Sequence, residues 1–314
     1  QTGRAATPTF IPPDFVGRAA GHYELLASPT LHSGQEVAAR VLADGANGGP
    51  VRVALYLSHY DGDDCLVCVD GRPVTLAPGA EARVTWRVPD TGGQPIAEIG
   101  LAVASGDDGP AAGTVYLDWL TWQGEPHVYL VRPADGGTMW RRAWVDAVDH
   151  VEWHRREAFR VMQDHGAGLF MQGGGDWRDY SVEALVVPHA AAAAGLAARV
   201  QGLKRFYSLE LGADQVVRLV RSLERGRTVL AERPFPFAWD AELVFQLEVA
   251  GPRLRAWIDG GPLFDLEDAG TPLRHGAVGI VVEEGRVSGE WVEVRPLTQA
   301  NLGASPSAAA DLAP

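Results

Sequence analysis

The sequence predicts an all-β protein built as two tandem antiparallel β-sandwiches, and three observations carry that prediction. The stretch Gly113–Pro126, GTVYLDWLTWQGEP, sets Val115, Leu117 and Trp119 against Tyr116, Asp118 and Leu120 and stops at Gly124-x-Pro126. Period-two alternation of β-branched and aromatic residues is a strand pattern, and Gly and Pro end it. A comparable ending recurs at Gly289–Pro296, GEWVEVRP, and each ending follows a Gly-centred apolar run, Ile99–Val103 in one case and Val278–Val282 in the other. The 314 residues suit two domains on the usual scale of roughly 100–200 residues apiece.

The strands follow in order. Residues 1–20 read as an extended leader, because Pro8, Pro12 and Pro13 oppose helix. A first sandwich spans 21–126, with strands expected at Tyr23–Ala27, Glu36–Leu42, Val51–His59, Asp64–Val69, Pro73–Leu76, Ala82–Val88, Ile96–Ala104 and Thr114–Trp122. The separators Asp44-Gly45, Asp61-Gly62, Asp70-Gly71, Pro78-Gly79 and Gly92-Gly93 carry turn chemistry. Short strands at this spacing predict a jelly roll. Residues 127–157 read as an extended connection, although Trp140, Trp144, Val148 and Val151 recur near a helical period. A second sandwich spans 158–297, with hairpin turns at Asp259-Gly260 and Glu284-Gly285, and an Ala/Ser/Pro-rich tail, expected to be disordered, covers 298–314.

Composition narrows the function classes. Hydrophobic residues make up 46% and charged residues 21%, enough for sizeable cores, and 37 glycines with 21 prolines fit many turns. A net charge of −13 excludes nucleic acid and anionic membrane surfaces as natural partners. No apolar run reaches the roughly 18 residues of a membrane span, so membrane insertion is not expected. Gln1–Arg18 has no apolar signal core and the chain does not open on Met, which reads as a processed product or a fragment. A processed chain would be secreted or at the cell surface, and otherwise cytoplasmic. Cys65 and Cys68 lack the further ligands of a zinc site and, on one strand, face opposite sides, so they are expected as free thiols.

The second half carries Asp176–Tyr180 (DWRDY), Gly195–Leu211 (GLAARVQGLKRFYSLEL), Leu254–Gly260 (LRAWIDG) and His275–Val282 (HGAVGIVV). In that order these segments resemble a concanavalin-like or laminin-G-like sandwich. The first half, with Ser28–Val37, Leu76–Ile96 and Gly113–Pro126, is similar to carbohydrate-binding jelly rolls. Over residues 20–297 the tandem resembles the C-terminal region of some bacterial proteins of the ADP-ribosylglycohydrolase family. That family's catalytic domain is helical and binds magnesium through Asp-rich motifs. Nothing here supplies it, so the resemblance implies accessory architecture and no catalytic residue.

Candidate sites follow from chemistry. Sugars stack their apolar faces on aromatic rings while flanking polar groups fix the hydroxyls. Trp177, Tyr180 and Tyr207 with Asp179, Arg199 and Gln201 are the candidates in the second sandwich, Arg199 and Gln201 sharing a strand face by the period of two. His59 and Tyr60 at a loop entry are the candidates in the first. Trp119, Trp122, Trp257 and Trp291 read as core. Asp118 resembles the acidic residue with which jelly-roll sugar binders hold structural Ca²⁺, with Glu24 as a partner ligand. Glu183, Glu210, Glu248 and Asp259 are acids that could pair for glycoside chemistry. No Gly-x-Ser-x-Gly elbow occurs, and Gly173–Gly175 lacks a P-loop lysine. The reading is a non-catalytic glycan-recognition or accessory module. The alternatives are a concanavalin-like glycoside hydrolase or lyase, and a self-associating structural or filament subunit.

Overall fold

The computed structural model describes residues 3–8, 31–105, 113–124 and 127–297, so the expected Tyr23–Ala27 strand and Glu24 lie outside the described residues. The chain is all-β. It divides into two compact units, one comprising 1–124 with 133–143 and the other 125–132 with 144–314. The segment expected as a connection is therefore shared between them.

In the first unit, β1 (Gly3–Pro8), β2 (Glu36–Ala43), β3 (Val51–Tyr60), β4 (Leu66–Asp70), β5 (Val74–Leu76), β6 (Glu81–Arg87), β7 (Ile96–Ser105) and β8 (Val115–Gln123) form two antiparallel sheets. One has the order β1-β7-β3-β4 with β5 on β3, and the other β6-β2-β8. Val37, Ala39 and Val41 of β2 and Val53, Leu55 and Leu57 of β3 alternate into one shared core with Ile99 and Leu101. Of the leader, expected only as extended chain, the described residues 3–8 form β1 and pair antiparallel with β7. Cys65 and Cys68 are free thiols.

In the second unit, β9 (Val128–Val131) precedes β10 (Val145–Ala147), β11 (His150–Val151), β12 (Phe159–Gln172), β13 (Tyr180–His189), β14 (Ala193–Gly202), β15 (Arg205–Gly212), β16 (Val216–Leu223) and β17 (Gly226–Pro234). Then come β18 (Leu243–Ala250), β19 (Arg253–Ile258), β20 (Gly261–Glu267), β21 (Ala277–Gly289) and β22 (Trp291–Pro296). One layer runs β9-β22-β13-β18-β19-β20, and the other runs β12-β21-β14-β15-β16-β17 with β10 and β11 on β12. β13 joins them: Tyr180–Val186 pairs with β18, while Val187–His189 pairs with β21. β18 packs on β14 and β15 between the layers. The helical period noted around Trp140 is realised only as a 3-10 turn, Met139–Ala143 in the first unit, before β10 and β11 resume extended structure. Trp144 stacks on Phe170 at 4.6 Å between centroids.

Candidate functional site

The aromatic and polar residues expected to form a sugar platform in the second sandwich do come together, but around a buried cation. Trp177, Tyr180, Arg199 and Tyr207 are each 0% exposed, so the stacking and ligand-contact roles expected of them are not roles these side chains can play. A β-bulge between Ala198 and Gly202 explains the correction, because Arg199 takes φ +50° and the period of two fails there. Arg199 donates from Nη1 to the carbonyls of Gly251 and Leu273, both at 2.5 Å, from Nε to that of Arg178 at 3.1 Å, and from Nη2 to Asp179 at 2.9 Å. Its own amide donates to Tyr180 Oη at 2.6 Å. Tyr207 donates to Asp268 at 2.7 Å and accepts from the Leu273 amide at 3.0 Å. Burial opposes the Asp268 charge, yet hydrogen bonds from Tyr207, Arg221 and the Gly270 amide hold its carboxyl below the ordinary value. Gln201, at the strand end, donates to the His275 carbonyl at 2.7 Å. The glycine run finds its use here: a Cβ on Gly173 or Gly174 would enter the Trp177 indole, at 2.4 and 2.9 Å.

The candidates of the first sandwich are committed too. His59 is half-buried with Nδ1 donating to the Tyr60 carbonyl at 2.7 Å, and Tyr60, 9% exposed and clustered with Ala97 and Met139, presents no stacking face. Asp118 accepts from Arg40 at 3.0 Å, and Arg40 also binds Glu81 at 2.7 Å. A guanidinium on the carboxylate is the wrong neighbour for a cation, and among the described residues no group of three His, Cys, Asp or Glu side chains could hold a metal. Asp118 is thus tied to Arg40, and Glu24, the partner ligand expected of it, lies outside the described residues. Trp119, expected in the core, instead faces outward at 36% exposure beside Tyr116, Leu117 and Leu42, with Arg83 over its ring.

The outer face of the β9-β22-β13-β18-β19 layer has a different character. β13 alternates fully buried with half-buried residues along its whole length, turning Ser181, Glu183, Leu185, Val187 and His189 outward. Residues opposed across antiparallel strands share a face. Tyr129 opposes Glu293, Glu293 opposes Glu183, Glu183 opposes Gln246, and Gln246 opposes Trp257. Five neighbouring strands thus carry one transverse row, aromatic at both ends with two carboxylates and an amide between. At about 4.8 Å per strand the row is roughly 19 Å long. Tyr129 is 47% exposed and stacks on Trp291 at 6.0 Å and 24°.

Two carboxylates directly opposite each other repel, and Arg295 offsets this by donating to Glu293 at 2.6 Å while lying 3.7 Å from Glu183. Burial pushes the Glu183 carboxyl up, with Arg295 opposing and Glu293 adding. Burial likewise raises Glu248, against its ion pair with Arg255. A raised carboxyl binds its proton more tightly folded than unfolded. Its contribution is therefore full below the ordinary glutamate value of 4.5 and is lost as pH rises through the folded value. Glu183→Gln is accordingly expected to raise the urea midpoint at pH 7 and to leave it unchanged near pH 4. An equal shift at both pH values would mean that the carboxyl charge is not the cause.

Of the other acids, Glu210 lies in the opposite layer, held by Ser208 and Arg227, and Asp259 caps the Val244 amide in a turn. The sequence singles out Glu183 but not Glu293, because only the register of β22 sets Glu293 against Glu183.

At the Leu185–His189 end, the same face opens into a cavity of about 580 Å³. Leu185, Val187 and Gly289 are among its apolar lining, and Arg160, His189, Glu242 and Ser288 among its polar lining. Cavities of this size fall in the range that takes small ligands.

No protein-family model matches the chain, and no curated protein matches it. Among solved structures, the chain is similar to a carbohydrate-binding module, CBM66, of Bacillus subtilis, at 17% identity and TM-score 0.44, covering 48% of this chain and 94% of that one. It is also similar to a Bacillus subtilis protein of unknown function with a galectin-like fold, at 14% identity and TM-score 0.40, covering 51% of this chain and 92% of the other. A third likeness is to the Caenorhabditis elegans galectin LEC-6, at 13% identity and TM-score 0.33, covering 49% and 96%.

Proposed function

We propose that the chain is a glycan-recognition module that does not cleave the glycosidic bond, with its binding site the transverse row on the second sandwich. The observation that carries this reading is the row itself, Tyr129–Glu293–Glu183–Gln246–Trp257, an aromatic-edged strip of hydrogen-bonding groups whose middle strand, β13, runs on into a cavity. Tyr129 offers its exposed ring to the C–H face of a sugar, and the Glu293, Glu183 and Gln246 side chains take hydroxyl protons and offer an amide donor. Hydrolysis of the glycosidic bond is less well supported. Arg295 engages both Glu293 and Glu183, and Arg255 engages Glu248, whereas a glycosidase needs its two carboxyls free to flank the bond. Attachment to an ADP-ribosylglycohydrolase-type protein, implied by the sequence resemblance, belongs to this proposal as its accessory role.

A glycan array on the purified chain tests the reading. Glu183→Gln is expected to weaken the best-bound glycan about 10–100-fold, the worth of a hydrogen bond to a charged group. Tyr129→Ala is expected to weaken it roughly 3–10-fold, the worth of one ring contact. Binding is expected to survive EDTA and Trp119→Ala. Loss of binding in Trp119→Ala with retention in Glu183→Gln would move the site to the first sandwich, and absence of binding to any glycan would remove the reading.

A further inference from the structure

Three side chains far apart in sequence meet beside the cavity, two of them, Ser288 and His189, in its lining. Ser288 of β21, His189 at the end of β13 and Asp240 in the turn before β18 lie 99 and 51 positions from one another along the two hydrogen bonds that link them. Ser288 Oγ is 2.8 Å from His189 Nε2. On its other side, His189 Nδ1 is hydrogen-bonded to an Asp240 carboxylate oxygen. An ionised carboxylate only accepts, so Nδ1 carries the proton and Nε2 presents its lone pair to the serine hydroxyl. That is the tautomer a general base needs.

Two further features show that the arrangement is held in place. Asp240 sits at φ +64°, a conformation that a residue with a side chain seldom adopts, and its amide donates to the Pro188 carbonyl at 2.9 Å. The strained turn is thereby tied to the residue before His189, which sets the Asp240 backbone beside the imidazole, while the carboxylate itself is 74% exposed. Arg160 lies directly opposite Ser288 in the β12–β21 ladder, so the two side chains share a face, and both line the cavity. Arg160 is itself fixed, with Nε 2.8 Å from Glu152 and Nη1 donating to Glu157 at 3.1 Å.

We propose that Ser288, His189 and Asp240 form a hydrolytic relay for a small carboxylic ester, with Arg160 as the cation facing the developing oxyanion. That the ester is carried on a glycan rests on the reading above; the relay chemistry does not. Ser288 Oγ attacks the ester carbonyl carbon as its proton passes to His189 Nε2, and the carbonyl oxygen becomes the oxyanion that Arg160 faces. The C–O bond to the alcohol then breaks, and the alcohol leaves with the proton from His189. Water attacks the acyl-serine, gives its proton to His189, and the acid departs as Oγ takes that proton back. Asp240 is a positioning residue, fixing the tautomer and stabilising the imidazolium. Leu185 and Val187, which line the same cavity, offer apolar contact to a short acyl chain.

The test uses a fluorophosphonate, which traps an activated serine without any need to know the substrate. The full chain is expected to gain a single adduct, placed on Ser288 by peptide mass spectrometry, and to hydrolyse p-nitrophenyl acetate in a reaction lost in Ser288→Ala. His189→Ala is expected to slow labelling about 10²–10⁴-fold, the usual worth of a positioned base. Asp240→Asn is expected to slow labelling while leaving the urea midpoint in place, a split that a merely structural aspartate would not give. Absence of an adduct on Ser288 in the folded wild-type chain overturns the relay, whether or not glycans bind. Labelling at an unchanged rate in Asp240→Asn removes Asp240 from it.

Discussion

Replacing Arg199 by methionine is expected to lower the unfolding free energy of the second sandwich by about 3–5 kcal/mol, the cost of breaking a buried charged network by removing one partner. Arg199 is fully buried and holds the carbonyls of Arg178, Gly251 and Leu273 as well as Asp179, tying the start of β13 to the β18–β19 turn and to the segment before β21. A methionine fills similar volume but leaves those carbonyls without donors, each costing about 1–3 kcal/mol where it stays dry. Lysine recovers only part of this, because an ammonium cannot reproduce the planar fork. Urea unfolding read by hydrogen exchange of the β14 and β15 amides gives the number. A loss below about 1 kcal/mol would show that water replaces the guanidinium and that the burial of Arg199 is not what holds these segments.

Gly289→Ala is the second large effect, expected to cost about 3 kcal/mol, at the upper end of overpacking penalties. A Cβ there would lie 2.0 Å from the Leu185 carbonyl oxygen and 2.3 Å from the Phe159 ring. A ring can turn aside, but the Leu185 oxygen belongs to β13 where that strand passes from one layer to the other. Relief therefore requires β13 and β21 to separate locally. Phe159→Leu in the same chain is expected to restore less than half the loss, since the backbone contact remains. Full restoration would identify the ring as the sole obstacle. Because Gly289 follows Ser288, the same separation is expected to abolish fluorophosphonate labelling while the chain remains folded at low temperature.

Strand content was legible because apolar alternation and Gly/Asp turn chemistry are local properties. The patterns at Glu36–Leu42, Val51–His59 and Ile96–Ala104 became β2, β3 and β7 within a residue at each end. Burial was legible only in part. Trp119 alternates within β8 as a core residue would, yet β8 edges a three-stranded sheet and turns that ring outward. Trp177, Tyr180 and Tyr207 looked like ligand contacts for the opposite reason: aromatics amid Asp and Arg suggest a polar cleft, and nothing local shows that the arginine points inward at a bulge.

The amino-acid sequence fixed which segments are strands, where they turn, and that the chain is acidic and all-β. The tertiary structure alone decided which residues meet. Register across β9, β22, β13, β18 and β19 aligns Tyr129 with Glu293, Glu183, Gln246 and Trp257, and the passage of β13 between layers brings His189 to Ser288. A one-residue slip would turn each of these side chains to the other face while leaving every strand pattern intact. Pairing between distant strands is set by the packing of whole faces rather than by neighbours in the chain, which is why the strands could be read one at a time and the site could not.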